Sequence, residues 1–105
     1  MLTVHIWLRK KDEMSTEDFA RYWLERHAPI ARDGYEHLRD YVVNLVTRVP
    51  EGQERLYDGV AALSWDDRDG FSADMKSEAA KRAAEDLKTF TEGAGLLFVE
   101  ATTVK

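Results

Sequence analysis

From Leu2 to Arg9 the chain alternates strictly, with Leu2, Val4, Ile6 and Leu8 on one side and Thr3, His5, Trp7 and Arg9 on the other. A period of two marks a strand that buries one face, and here the second face is unusually aromatic. The period then changes. Ser15, followed three residues later by Asp18, forms a capping-box-like start: its hydroxyl can satisfy an orphan amide, while Glu17 and Asp18 favour the positive end of a helix dipole. Phe19, Trp23 and Ile30, with Tyr22 and Arg26 at the margins, fall at about 3.6-residue spacing, and Pro29 disfavours helical geometry at Ala28. The pattern predicts a helix from about residue 16 to residue 28. His27 lies in its last turn, on the side of Trp23 and Phe19, as a partly buried imidazole.

Residues 30–38 read as irregular or a short helical turn, with Gly34 as a breaker. Residues 41–49 are rich in β-branched side chains and read as a second strand ended by Pro50. Residues 50–55 have hairpin-loop composition, and residues 58–65 form a third strand, antiparallel to the second. An acidic start at residues 66–69 opens a second helix, whose stripe of Phe71, Met75, Ala79, Ala83, Leu87 and Phe90 allows a kink near Ser77. Gly93 and Gly95 are expected to stop it, leaving residues 96–104 as the last strand. The order β-α-β-β-α-β specifies an α+β, ferredoxin-like arrangement, a four-stranded antiparallel sheet with both helices on one face.

The other sheet face must meet something. Trp7 and His5 on the first strand, together with apolar residues on both faces of the second and fourth, make it too hydrophobic to stay in water. A homodimer that closes two sheets into a barrel is the simplest symmetric answer.

Composition narrows the function. A length of 105 residues, 44% hydrophobic and 33% charged without low-complexity runs, fits one domain spanning 1–105 and argues against disorder. The net charge of −5 disfavours nucleic acid as a partner, and Arg9-Lys10-Lys11 is followed at once by Asp12-Glu13, as in a solvated loop. The longest apolar stretches, such as Ala94 to Val99, are far short of a membrane span. The N-terminal residues alternate like a strand rather than forming a leader, so export and membrane association are not expected and a cytoplasmic location is. The absence of cysteine removes disulfides, thiol nucleophiles and thiolate metal sites.

Among the histidines, His27 alone combines partial burial with a place beside a core face, the setting of a proton-transfer base; the bland alternative is a packed ring bonded to a carbonyl near its helix end. Asp86, on the edge of the Ala83-Leu87-Phe90 stripe, is either a carboxylate that orients that imidazole or an exposed one near Lys88 or Arg82. Tyr41, at the start of the second strand, either donates to a carbonyl or enolate oxygen or is a satisfied core tyrosine. Tyr22, Trp23, Trp65 and Phe90 form either an aromatic pocket wall or simply core. His5 reads as an interface residue and His37 as exposed; no metal-ligand spacing, P-loop, dinucleotide fingerprint or Gly-x-Ser-x-Gly elbow is present.

Leu8-Arg9-Lys10-Lys11, Met14-Ser15, and Phe19-x-x-Tyr22-Trp23-x-x-x-His27-Ala28-Pro29 in the first half, with Tyr57-Asp58-Gly59-Val60, Trp65, Phe71 and residues 85–90 in the second, resemble the EthD-domain family of the dimeric α+β-barrel superfamily over essentially the whole length. The resemblance implies a homodimer with no metal or organic cofactor and a small pocket between sheet and helices, approached by His27. Family members accompany ether-degrading oxygenase systems or act on aromatic polyketides as dehydratases or cyclases, and a more distant relative is a methylmuconolactone isomerase. In that isomerase a histidine matching His27 and a tyrosine matching Tyr41 line the active site. This chain departs from it: Ser64 stands where the isomerase has a cysteine, and no histidine occurs in residues 50–57.

Taken together, residues and resemblance give as expected site His27, Tyr41 and Asp86 for catalysis, with Tyr22, Trp23, Ser64, Trp65 and Phe90 for binding a small hydrophobic, aromatic, polyketide- or lactone-like molecule. The expected chemistry is cofactor-independent dehydration, cyclisation or isomerisation. The alternative is a non-catalytic ligand-binding or accessory protein of an oxygenase or degradation pathway.

Overall fold

The alternation of the N-terminal strand is realised in a sheet whose inner side carries the core. A computed structural model describes Met1–Lys105. In it β1 (Leu2–Lys10) pairs antiparallel with β3 (Gly59–Trp65) on one side and with β4 (Thr91–Val99) on the other, and β2 (Leu38–Leu45) pairs antiparallel with β3. The strand order is therefore β2-β3-β1-β4. Val4 and Leu8 of β1 and Ala61, Leu63 and Trp65 of β3 are buried together with Phe19, Trp23 and Phe90 from the helices, which cover this face. Val42 of β2, Ala62 of β3 and Leu97 of β4 flank His5 on the opposite, uncovered face.

Pro29 does not end the first helix. Helix α1 (Thr16–Tyr22) begins as expected, with the Ser15 hydroxyl accepting from Asp18 N–H at 3.1 Å, but it runs into a π-helical segment (Trp23–His27) and on through α2 (Ala28–Gly34). The wide turn closes through Ala28 N–H donating to Trp23 O. A proline inside a regular α-helix clashes with the carbonyl four residues back. Here it stands in the first turn of a new α segment, where its missing N–H costs little and the preceding turn is expanded. His27 is thus in the middle of a longer helical run and not at a free C-terminus, so the dipole at a helix end does not act on it.

Three further boundaries differ from the sequence pattern. Strand β2 is shifted toward the N-terminus because Leu38 already pairs with Trp65, while past Val46, whose N–H donates to Asp58 O at 3.0 Å, the chain leaves the ladder. The second helix breaks completely into α3 (Arg68–Met75) and α4 (Glu78–Phe90), since Ser77 adopts an extended conformation and its hydroxyl caps Ala80 N–H at 3.2 Å. Gly93 and Gly95 lie inside β4, which begins at Thr91 and ends at Val99, instead of stopping a helix. Gly95 sits opposite Trp7 in the β1–β4 register, and a Cβ there would collide with the Trp7 indole. The glycine makes room for the ring, which also packs on Tyr57 with centroids 5.0 Å apart.

Candidate functional site

Between the inner sheet face, the π-helical segment and α4 lies a cavity of about 430 Å³ whose nineteen lining residues include seventeen hydrophobic ones. Small side chains on one face of α4, Ala80, Ala83 and Ala84, keep it open against Ile6, Leu63 and Leu96 of the sheet. Its charged or titratable members are His27, Tyr35, Tyr41 and Lys81. So apolar a wall with a few polar groups suits an apolar molecule oriented by those groups.

His27 reaches this cavity from the π-helical segment, only 9% exposed. Its Nδ1 is 2.9 Å from Oδ2 of Asp86 on α4, and its ring packs at a tilt against Phe90, with centroids 5.0 Å apart. Burial pushes the His27 pKa below its ordinary value of 6.5, and the hydrogen bond and charge of Asp86 offset this only in part. At neutral pH the contact is therefore a hydrogen bond from a neutral imidazole to a carboxylate, with Nδ1 carrying the proton, and not an ion pair. The other Asp86 oxygen, Oδ1, accepts from the Tyr22 hydroxyl at 2.7 Å, and that hydrogen bond is the main reason the Tyr22 pKa is raised. Asp86 does not line the cavity. It stands behind the imidazole and faces an outer cleft with Ile30, Lys81, Arg82, Glu85 and Thr89.

Tyr41, the fourth residue of β2, lines the cavity, and its hydroxyl oxygen accepts from Trp23 Nε1 at 3.1 Å. Its proton remains free to be donated. Burial raises the Tyr41 pKa, against a smaller lowering by the Trp23 hydrogen bond, so the phenol is neutral at pH 7. Trp23 and Trp65 also line the cavity; Trp65 is fixed by donating from Nε1 to Oδ2 of Asp74 at 2.7 Å.

The remaining expected binding residues lie elsewhere. Ser64 alternates with Leu63 and Trp65 along β3, so its side chain is on the opposite sheet face, where its Oγ pairs with Oγ1 of Thr3 at 3.1 Å. Phe90 is wholly buried beneath His27 and Tyr22, and Tyr22 is turned to Asp86. These two support the imidazole without touching the cavity.

Two residues not singled out from sequence help build the site. Tyr35, directly after α2, lines the cavity. Asp74 of α3, 2% exposed, accepts from Trp65 and from His37 N–H at 3.1 Å, tying α3 to the start of β2. Tyr35 was marked only by its place after the breaker Gly34, and Asp74 was hidden among the other acidic residues of its helix. No three histidine, aspartate or glutamate side chains converge in a metal-holding group.

Residues 11–94 match the family model described as the EthD domain. An EthD family protein of Bacillus halodurans C-125 has a similar structure, with TM-score 0.79 and 23% identity, covering 97% of this chain and 100% of that one. An EthD-like protein of Ralstonia eutropha JMP134 has TM-score 0.74 and 16% identity, covering 99% and 94%. A dimeric ferredoxin-like protein of Thermobifida fusca YX has TM-score 0.73 and 14% identity, covering 95% and 90%. No curated protein matches.

Proposed function

The chain belongs to the EthD-domain family, and from that premise we propose that it binds a small apolar, oxygen-bearing molecule, aromatic, polyketide-like or lactone-like, and performs cofactor-independent acid/base chemistry on it with His27. The observation that carries this reading is the division of labour on one imidazole: Nδ1 is held by Asp86 and the ring lines the cavity, which leaves Nε2 for the ligand. A neutral imidazole with Nδ1 protonated is a base at Nε2.

In this reading Nε2 takes a proton from a C–H next to a carbonyl. The C–H electron pair becomes the enolate and the carbonyl oxygen gains charge, which the Tyr41 hydroxyl stabilises by donating to it. The imidazolium so formed lies against Asp86. Returning the proton to another carbon completes an isomerisation; delivering it to a departing hydroxyl, which leaves as water, completes a dehydration. Tyr22 keeps the second Asp86 oxygen occupied and so fixes the carboxylate.

The uncovered sheet face is read as the homodimer interface. Val42 is 52% and Leu97 57% exposed there, a cost to a monomer in water that a second copy removes. The dimeric Thermobifida fusca protein of the same fold supports this.

A non-catalytic ligand-binding or oxygenase accessory protein would use the same cavity and differ at His27. Occupation of the cavity is tested first by thermal midpoint, since a ligand selective for the native state raises it. Phenolic and lactone probes are expected to raise the midpoint of the wild type and not of Ala83→Phe, in which the cavity is filled. Absence of any shift, or equal shifts in both proteins, contradicts the reading.

A further inference from the structure

The hydroxyls of the four tyrosines are used differently. Tyr22 donates to Asp86 and Tyr41 accepts from Trp23. Tyr57 is 40% exposed against Trp7, outside the cavity. Tyr35 lines the cavity, and its hydroxyl has no protein partner and is not sealed off from the cavity or the surface. A phenol at the wall of an apolar cavity with no protein partner keeps its hydroxyl available to pair with whatever enters.

The backbone on either side of that phenol is anchored. Tyr35 N–H donates to Ala31 O at 2.9 Å, and two residues on, His37 N–H donates to the buried Asp74 carboxylate, which also holds Trp65. The ring is therefore carried by a fixed corner between α2 and β2, the strand that bears Tyr41. Both phenols line the same cavity.

We propose that Tyr35 and Tyr41 form a two-hydroxyl clamp for a single oxygen of the ligand, so that the cavity selects molecules whose oxygen carries negative charge, phenolates and enolates, over neutral compounds of the same shape. The proposal rests on the cavity being the ligand site; it adds Tyr35 as a donor and specificity-determining residue. Tyr41 can donate because its oxygen, not its proton, is engaged by Trp23. Burial raises both phenol pKa values, with Tyr41 and Asp74 adding to the shift at Tyr35, so both hydroxyls keep their protons at pH 7 and act as donors. Two neutral donors aimed at one oxygen offset the cost of taking an oxyanion from water into an apolar cavity, a compensation that a neutral ligand of the same shape does not receive. The clamp fits an oxygen standing on an aromatic ring or an enol carbon, because apart from His27 and Lys81 the rest of the lining is apolar.

The test is binding of 4-nitrophenol, whose anion is yellow and whose neutral form is not, compared with naphthalene as a neutral apolar probe. The wild type should bind 4-nitrophenol as the anion, with its pKa lowered on binding. Tyr35→Phe should weaken the anion roughly 10- to 100-fold, the effect of removing one hydrogen bond to a charged group, and leave naphthalene affinity unchanged. Should that variant not fold, the NMR resonance of the hydroxyl-bearing ring carbon of Tyr35 in the wild type must move when 4-nitrophenol is added. Equal anion binding by wild type and Tyr35→Phe, or an unmoved Tyr35 resonance, overturns the clamp. Naphthalene binding without anion binding also overturns it while leaving the cavity as a ligand site. Failure of the acid/base reading shows separately, as proton exchange that survives His27→Gln.

Discussion

Asp86 Oδ2 lies 2.9 Å from His27 Nδ1, and the same carboxylate takes the Tyr22 hydroxyl at 2.7 Å on its other oxygen. One acidic side chain of α4 thereby fixes both the tautomer and the orientation of an imidazole on the π-helical segment, and all of its own hydrogen-bonding to the first helical run is spent on that task. Asp86→Asn removes the charge that partly counters burial, so the His27 pKa should fall further below 6.5. An NMR titration of the imidazole reads this directly. Proton transfer should slow roughly 10-fold, the difference between a hydrogen bond to a charged and to a neutral acceptor. An unchanged His27 titration would show that Asp86 is not its electrostatic partner.

The lowered His27 pKa also fixes the pH dependence of stability. Unfolded, the imidazole takes up a proton near pH 6.5; folded, it resists until lower pH. Between those points the unfolded state binds more protons, so the contribution of His27 is fully present above 6.5 and is lost as pH falls through the folded value. Denaturant unfolding of wild type and His27→Gln should therefore show the wild type losing more stability on acidification below pH 6.5. Parallel pH profiles contradict the assigned shift.

Phe90 is packed on Phe19, Tyr22 and His27 at once and is wholly buried. Truncation to Ala should cost about 3–5 kcal/mol, measured by urea unfolding. In the surviving folded fraction it should also loosen the imidazole. A cost below about 1 kcal/mol would mean that the ring is not a core element.

The dimer reading rests on the uncovered sheet face. Leu97→Asp, on β4 opposite His5, should yield a monomeric mass by light scattering at micromolar concentration with the circular dichroism spectrum unchanged, because a charge there is harmless in water and costly in an apolar interface. A monomeric wild type refutes the interface outright.

How far the sequence carried is clearest at particular residues. The strict alternation of β1 and the Ser15 cap are local signals, and local signals fixed strand identity and helix start. Pro29 misled because its effect depends on the geometry of the turn before it, and a π turn leaves no period of its own in a short segment. Gly93 and Gly95 misled because both face side chains of another strand, Gly95 the Trp7 indole and Gly93 the Arg9 side chain. The approach of Asp86 to His27 was one of two readings on the helix stripe; choosing between them needed the packing of α4 on the first helical run. Ser64 was named from a resemblance at one position, whereas the alternation of its neighbours Leu63 and Trp65 turns its side chain to the other face. Tyr35 depends on a helix end that Pro29 concealed.

The central claim, that His27 moves a proton on a ligand in the cavity, is tested most directly by the exchange of α-hydrogens of 2-tetralone in heavy water, followed by NMR. The wild type should accelerate exchange well beyond free imidazole at the same concentration, and His27→Gln should abolish the acceleration while still binding the ketone. Exchange at the same rate in both proteins, or no acceleration by the wild type despite binding, contradicts the account.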